Sequence, residues 1–150
     1  LTNLFVNPEP VDFELKKRSI FLDSFLIHRT QRGHLVRSKS ELIIADKLHA
    51  AGIDYDYEPQ INLNGTERYP DFVITDDDSG ETYYWEHLGM MSDPKYRKRW
   101  EKKLSQYRAE EILPLEEGGG ENGILVTTEE YQGKGFDSQK IDELVQIVLG

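Results

Sequence analysis

The sequence predicts an α/β domain, a mixed β-sheet with helices packed against it. Three observations carry that prediction. A capped, helical-period segment begins at Ser38. Strand-like runs separated by tight turn signals follow it. A second helix, a short apolar run and a third helix complete the order. At 150 residues the chain fits one domain large enough to bury a core.

Residues 1–37 are read as an N-terminal extension packing on a core of 38–150, with 11–15 and 20–27 apolar enough to pack as short strands or a helix. Ser38 and Glu41 then have capping-box spacing, and Leu42, Ile43, Ala45, Leu48 and Ala51 follow at helical spacing, with Gly52 as the stop. Residues 53–63 read as one strand, ended by the hairpin signal Asn64-Gly65. Residues 68–75 form the second strand and 81–88 the third, joined by the polar turn Asp76, Asp77, Asp78, Ser79 and Gly80. Asp93 caps the next helix and Pro94 is its first residue, with an end near Ala109. Leu113, Pro114 and the glycines 118–120 read as loop, and 123–128 as an apolar strand. Asp137 and Ser138 open a last helix with Ile141, Leu144, Val145 and Val148 on one face.

Composition removes several classes of function. No stretch is apolar enough to span a membrane. The first residue is Leu and no signal-peptide pattern appears, so a piece of a longer protein is expected. With no cysteine there are no disulfides and no thiolate metal sites, which fits a cytoplasmic protein. His28, His34 and His49 lack metal-site spacing. The net charge of −10 argues against bulk electrostatic binding of nucleic acid. Its distribution softens that objection: Lys95, Arg97, Lys98, Arg99, Lys102, Lys103 and Arg108 fall in one segment whose only acid is Glu101. This cluster is either a solvated helix face or a binding surface.

Asp71 and Glu86 interrupt two apolar strands at about equal distances from the turn centre. In a hairpin they become cross-strand neighbours, with Cβ atoms roughly 4.5–5.5 Å apart, where like charges repel and a divalent cation between them would relieve the repulsion. Glu86 follows Tyr83, Tyr84 and Trp85 in what should be a central strand, and a buried carboxylate needs a partner. Tyr96, Trp100, Lys103 and Tyr107 share one face of the following helix. Lys103 either snorkels outward or brings its ammonium to the two acids. Glu41 is either the capping-box acid alone or also turns toward the sheet. Glu58 lies opposite Asp71 across the first hairpin, as a fourth acid or as an arginine's partner. By alternation His87 points away from Glu86 and packs under the sheet, while its carbonyl is free to face a cation.

These residues together resemble the PD-(D/E)XK nuclease superfamily. The resemblance rests on the run Arg37, Ser38, Lys39, Ser40 and Glu41, the Tyr57-Glu58 pair, and Pro70, Asp71 and Phe72. It also rests on Tyr84, Trp85, Glu86, His87, Leu88 and Gly89, and on the helix carrying Lys103 and Tyr107. The likeness covers residues 36–128 and is greatest to the branch found alone or fused to UvrD-like helicases in bacteria. It implies a restriction-endonuclease-like mixed sheet flanked by helices, with an α-β-β-β-α-β core. It also implies Mg²⁺, replaceable by Mn²⁺, held by Asp71, Glu86 and the His87 carbonyl, with Glu41 contributing directly or through water. DNA, or alternatively RNA, is the implied substrate, and a fused or associated helicase the implied partner, as in DNA repair or defence. The superfamily's usual lysine lies two residues after the strand acid, where this chain has Leu88, and Lys103 is the position that would replace it.

On that reading Glu41, Asp71, Glu86 and Lys103 are catalytic. Lys39, Lys95, Lys98, Arg99 and Lys102 hold the nucleic-acid backbone, and Glu58, Tyr96, Trp100 and Tyr107 support the site. Two other classes stay open. One is a degenerate nuclease fold that only binds nucleic acid or a protein. The other is a glycosidase with Asp71 and Glu86 as its carboxylate pair.

Overall fold

The computed structural model describes residues 26–131 and 135–150. A short antiparallel hairpin comes first, β1 (His28–Arg29) with β2 (Leu35–Val36). It lies on α1 (Lys39–Ala50): Gln31 N–H donates to Asp46 Oδ1 at 2.9 Å, and Val36 is fully buried. Most of the two apolar stretches expected to pack in the N-terminal segment, 11–15 and 20–25, lies outside the described residues; Ile27 is 68% exposed.

The start of α1 is set as its sequence predicts. Ser38 is extended and its Oγ accepts from Glu41 N–H at 3.2 Å. Only half of the capping box forms, because the Glu41 carboxylate accepts from Arg37 N–H instead (3.1 Å). Ser38→Ala should cost about 1 kcal/mol, read as a small drop in the midpoint of urea unfolding at unchanged slope.

The sheet is a meander followed by a crossover. Strand β3 (Asp56–Tyr57) pairs antiparallel with β6 (Phe72–Thr75), which pairs antiparallel with β7 (Thr82–Leu88). Helix α2 (Pro94–Ala109) then crosses over, and β9 (Gly123–Tyr131) runs parallel to β7. Short strands β8 (Ile112–Pro114), parallel, and β10 (Gly135–Phe136), antiparallel, flank the two ends of β9. The path is β10-β9-β7-β6-β3, with β8 off it.

Helix α3 (Ser138–Leu149) packs with α1 on one face, burying Ile44, Leu48, Phe72, Trp85, Val126 and Val145. Helix α2 covers the other, where Tyr107, Ile112, Leu125 and Leu63 are buried. Because both faces are covered, adjacent residues of β7, Trp85 and Glu86, are both buried. Among the described residues no helix is long and apolar enough to cross a membrane.

Three sequence expectations need correction. The expected strand 53–63 is two pieces, β3 and β4 (Ile61–Leu63). Glu58 takes a left-handed backbone (φ 49°), and Pro59 has no N–H to give a ladder. The expected strand 68–75 likewise divides into β5 (Thr66–Arg68) and β6 around Tyr69, Pro70 and Asp71, so β4 and β5 form a separate hairpin. Leu113 and Pro114, read as loop, belong to β8, because buried Ile112 anchors the segment and Leu113 pairs with Ile124. A 3₁₀ turn at Leu115–Glu117 follows, ended by Gly118 at φ 93°.

Candidate active site

The acids meet at one end of the meander, where β6 begins and β7 ends. Phe72 pairs with Trp85, and continuing that register by one residue sets Asp71 opposite Glu86. In the first hairpin Tyr57 pairs with Phe72, and the next step sets Glu58 opposite Asp71, with Glu58 N–H donating to the Asp71 carbonyl at 3.0 Å. Asp71 is therefore the middle of a row of three acids, with Glu58 just past the end of β3, Asp71 just before β6 and Glu86 within β7.

Glu86 shares the α2-facing side of β7 with Tyr84, whose ring stands 5.8 Å from that of Tyr107. Its carboxylate has two partners on one oxygen. Lys103 Nζ lies 2.6 Å from Oε2, and the Tyr107 hydroxyl donates to the same oxygen at 2.6 Å. Both come from α2, one turn apart, as the aromatic face predicted. Of the two readings of Lys103, the structure has the inward one: its side chain is 16% exposed. Burial first, then the Glu86 charge, holds the Tyr107 hydroxyl well above the usual phenol range, so it stays a proton donor. Trp100 packs on Tyr107 with ring centroids 6.5 Å apart, and the Tyr96 hydroxyl accepts from Gly89 N–H at 3.1 Å. These two residues seat the helix on the end of β7.

Asp71 Oδ2 accepts from His87 N–H at 2.6 Å. Burial, then the Glu86 and Glu41 charges, push its pKa well above the ordinary carboxylate range; the His87 N–H and Lys103 pull against them without cancelling the shift. Glu41 reaches the same end of the sheet from α1. It accepts from the Tyr57 hydroxyl at 2.7 Å, and burial raises its pKa against that hydrogen bond. Glu58 receives Arg37 Nε on both oxygens, at 2.9 and 3.1 Å.

Carboxylate oxygens of Glu41, Glu58 and Asp71 all lie within 4.8 Å of one another. This changes the grouping expected from sequence. Glu58 is both of the things it was read as, an acid of the cluster and an arginine's partner. Glu86 stands outside the three-acid cluster, against Lys103 and Tyr107, with Asp71 coupling the two halves. The His87 imidazole turns to the opposite face, as expected, with Nδ1 2.8 Å from Thr128 Oγ1, and burial lowers its pKa.

Arg37 and Tyr57, which enter the sequence reading only as part of the resemblance, both close the cluster. Tyr57 was detectable, since the register that sets Glu58 opposite Asp71 also sets Tyr57 opposite Phe72. Arg37 gave no such signal, because its contact depends on how the chain enters α1.

Around the site the charge is divided. Lys95, Lys98, Arg99 and Lys102 are exposed at helical spacing on one flank of α2, and Lys39 is exposed at the start of α1. The Arg99 guanidinium lies 5.8 Å from the Tyr96 ring. Arg108 is engaged by Glu117 at 2.7 Å and Arg97 donates to the Met91 carbonyl, so these two contribute less to the open basic flank.

Fold and site together define an α/β domain with a carboxylate cluster at a sheet end and a helix-borne lysine beside it. Compared with known sequence families and with solved structures, the chain matches none. It is similar to an uncharacterized protein of Methanocaldococcus jannaschii, 33% identical over 127 residues, covering 79% of this chain. The chain spans 11% of that relative's length.

Proposed function

We propose that this domain is a divalent-metal-dependent nuclease of the restriction-endonuclease-like type, acting on DNA or RNA. The observation that carries the proposal is Lys103 Nζ at 2.6 Å from Glu86, on the strand residue facing Asp71. A lysine from the following helix beside this strand acid supports the reading that Lys103 replaces the superfamily's usual lysine, whose position Leu88 fills. The elements α1, β3, β6, β7, α2 and β9, with the hairpin β4-β5 and the short β8 set between them, are compatible with the α-β-β-β-α-β order that the resemblance implies, and the alignment with a short part of a much longer chain is compatible with a module of a larger protein.

The donor set fits magnesium or manganese. It is all oxygen, and burial first, then the charges of Glu86 and Glu41, hold the pKa of Asp71 above the ordinary carboxylate range. Asp71, Glu41 and Glu58 would hold the cation, with Glu86 beside Asp71 and the His87 carbonyl as a further oxygen that the resemblance implies. A divalent cation there supplies Lewis acidity toward water and phosphate.

The chain's own groups do the rest. Lys103 places a positive charge where negative charge grows on the phosphate oxygens. The His87 N–H fixes Asp71. The exposed flank of α2 holds the nucleic-acid backbone, a contact blind to sequence. Lys102→Ala should weaken binding evenly across sequences and lower the slope of log K against log salt by about one. An unchanged slope would remove Lys102 from the contact.

A protein that only binds is separated from a nuclease by metal response. Magnesium or manganese should raise the melting temperature of the wild type, and Glu86→Ala should abolish most of that rise. A wild type indifferent to both metals contradicts the metal site.

A further inference from the structure

We propose that Tyr107 is a positioning residue that, with Lys103, fixes the orientation of the Glu86 carboxylate and so sets the affinity of the site for its cation. This rests on the metal-site reading and deepens it. The Tyr107 side chain is fully buried, and its hydroxyl donates to Glu86 Oε2 at 2.6 Å, the oxygen that Lys103 also reaches at 2.6 Å. Two donors on one oxygen fix the carboxylate's rotation about its terminal bond. The other oxygen, Oε1, is thereby committed to a direction.

The two donors differ in kind. Lys103 is a flexible cation that a bound phosphate can draw away. Tyr107 is held at its ring, between Tyr84 and Trp100. It therefore keeps Glu86 oriented while the lysine turns to substrate. Lys103 and Tyr107 are four apart on α2, so one helical face presents the mobile charge and the fixed hydroxyl to one carboxylate. This pairing gives a physical reason for a tyrosine, rather than a phenylalanine, at a position with no solvent exposure. A buried hydroxyl needs a partner, and Glu86 is that partner.

Tyr107→Phe keeps the ring and removes the hydroxyl. Manganese binding measured by titration calorimetry should weaken about 10-fold or more, the usual effect of removing a group that orients a metal ligand. Melting in EDTA, measured alongside, should show a cooperative transition with the folded state retained at the titration temperature. Tyr83→Phe, which removes a hydroxyl in the cluster on the opposite face of β7, should bind manganese as wild type does. Wild-type manganese affinity in Tyr107→Phe overturns the inference while leaving the metal site intact. A Tyr107→Phe chain already unfolded at the titration temperature also overturns it, because the hydroxyl then serves the fold. Absence of manganese binding in the wild type itself overturns the metal reading and this inference with it.

Discussion

Lys103→Ala should lower the rate of metal-dependent cleavage by about 10²–10³ while nucleic-acid binding weakens only modestly. The lysine's ammonium sits beside Glu86 and offsets part of the rise in the Asp71 pKa, so under the proposed function its charge would lie beside the scissile phosphate. A charge that acts mainly as negative charge develops affects the chemical step more than ground-state binding. The substitution also leaves Glu86, 5% exposed, without its cation, so the variant should be less stable in EDTA. A bound metal would supply the missing counter-charge. The rate is therefore read under single-turnover conditions at saturating manganese, where the variant is folded. Lys102→Ala, one position around the helix, is the contrast: its effect should fall on binding and not on the chemical step. Equal single-turnover rates for Lys103→Ala and wild type would remove the relocated lysine from the mechanism.

Asp71→Asn should separate stability from activity. Burial and the charges of Glu86 and Glu41 raise the folded pKa of Asp71 above its unfolded value near 3.8. A carboxyl shifted that way favours the folded state below the unfolded pKa, and that contribution is lost as pH rises through the folded pKa. At neutral pH and without metal, the raised pKa of Asp71 is thus a liability to the fold. Asparagine removes the charge and keeps an oxygen to accept from His87 N–H. In EDTA at pH 8, Asp71→Asn should melt above wild type, by roughly 3 °C for about 1 kcal/mol gained. The advantage should shrink as pH falls toward the ordinary carboxylate range. With manganese the order should reverse, because wild type gains from the cation and the variant does not. Its cleavage should fall by at least ~10², since a lost ligand costs more than a lost orienting partner. A variant that melts below wild type in EDTA at every pH would mean that Asp71 holds the fold rather than the cation.

Much of this arrangement is legible before any coordinate is known, because two periodicities and two turns suffice to place it. The turns at Asn64-Gly65 and Asp76 to Gly80 fix the register, and register with a period of two sets Glu58, Asp71 and Glu86 in a row. The helical period then sets Lys103 and Tyr107 on the face toward the sheet. What is not legible depends on local backbone and on distant partners. The left-handed turn at Glu58 and the interruption at Pro70 split two strands that composition alone makes continuous. They bring Glu58 into the cluster with Glu41 and Asp71. Strand β8 was missed because Leu113-Pro114 reads as loop locally, while its pairing is made with β9. The assignment of Lys103 and Tyr107 to one oxygen of Glu86 is a matter of rotamers, on which spacing is silent.

The most direct measurement is cleavage of a mixture of labelled single- and double-stranded DNA and RNA, with magnesium, manganese or EDTA, wild type beside Asp71→Ala. The expected result is cleavage by wild type in either metal, none in EDTA, and none by Asp71→Ala under any condition. Wild type that binds these substrates but leaves all of them intact in both metals, or cleavage that persists in EDTA or in Asp71→Ala, would contradict a metal-dependent nuclease built on these carboxylates.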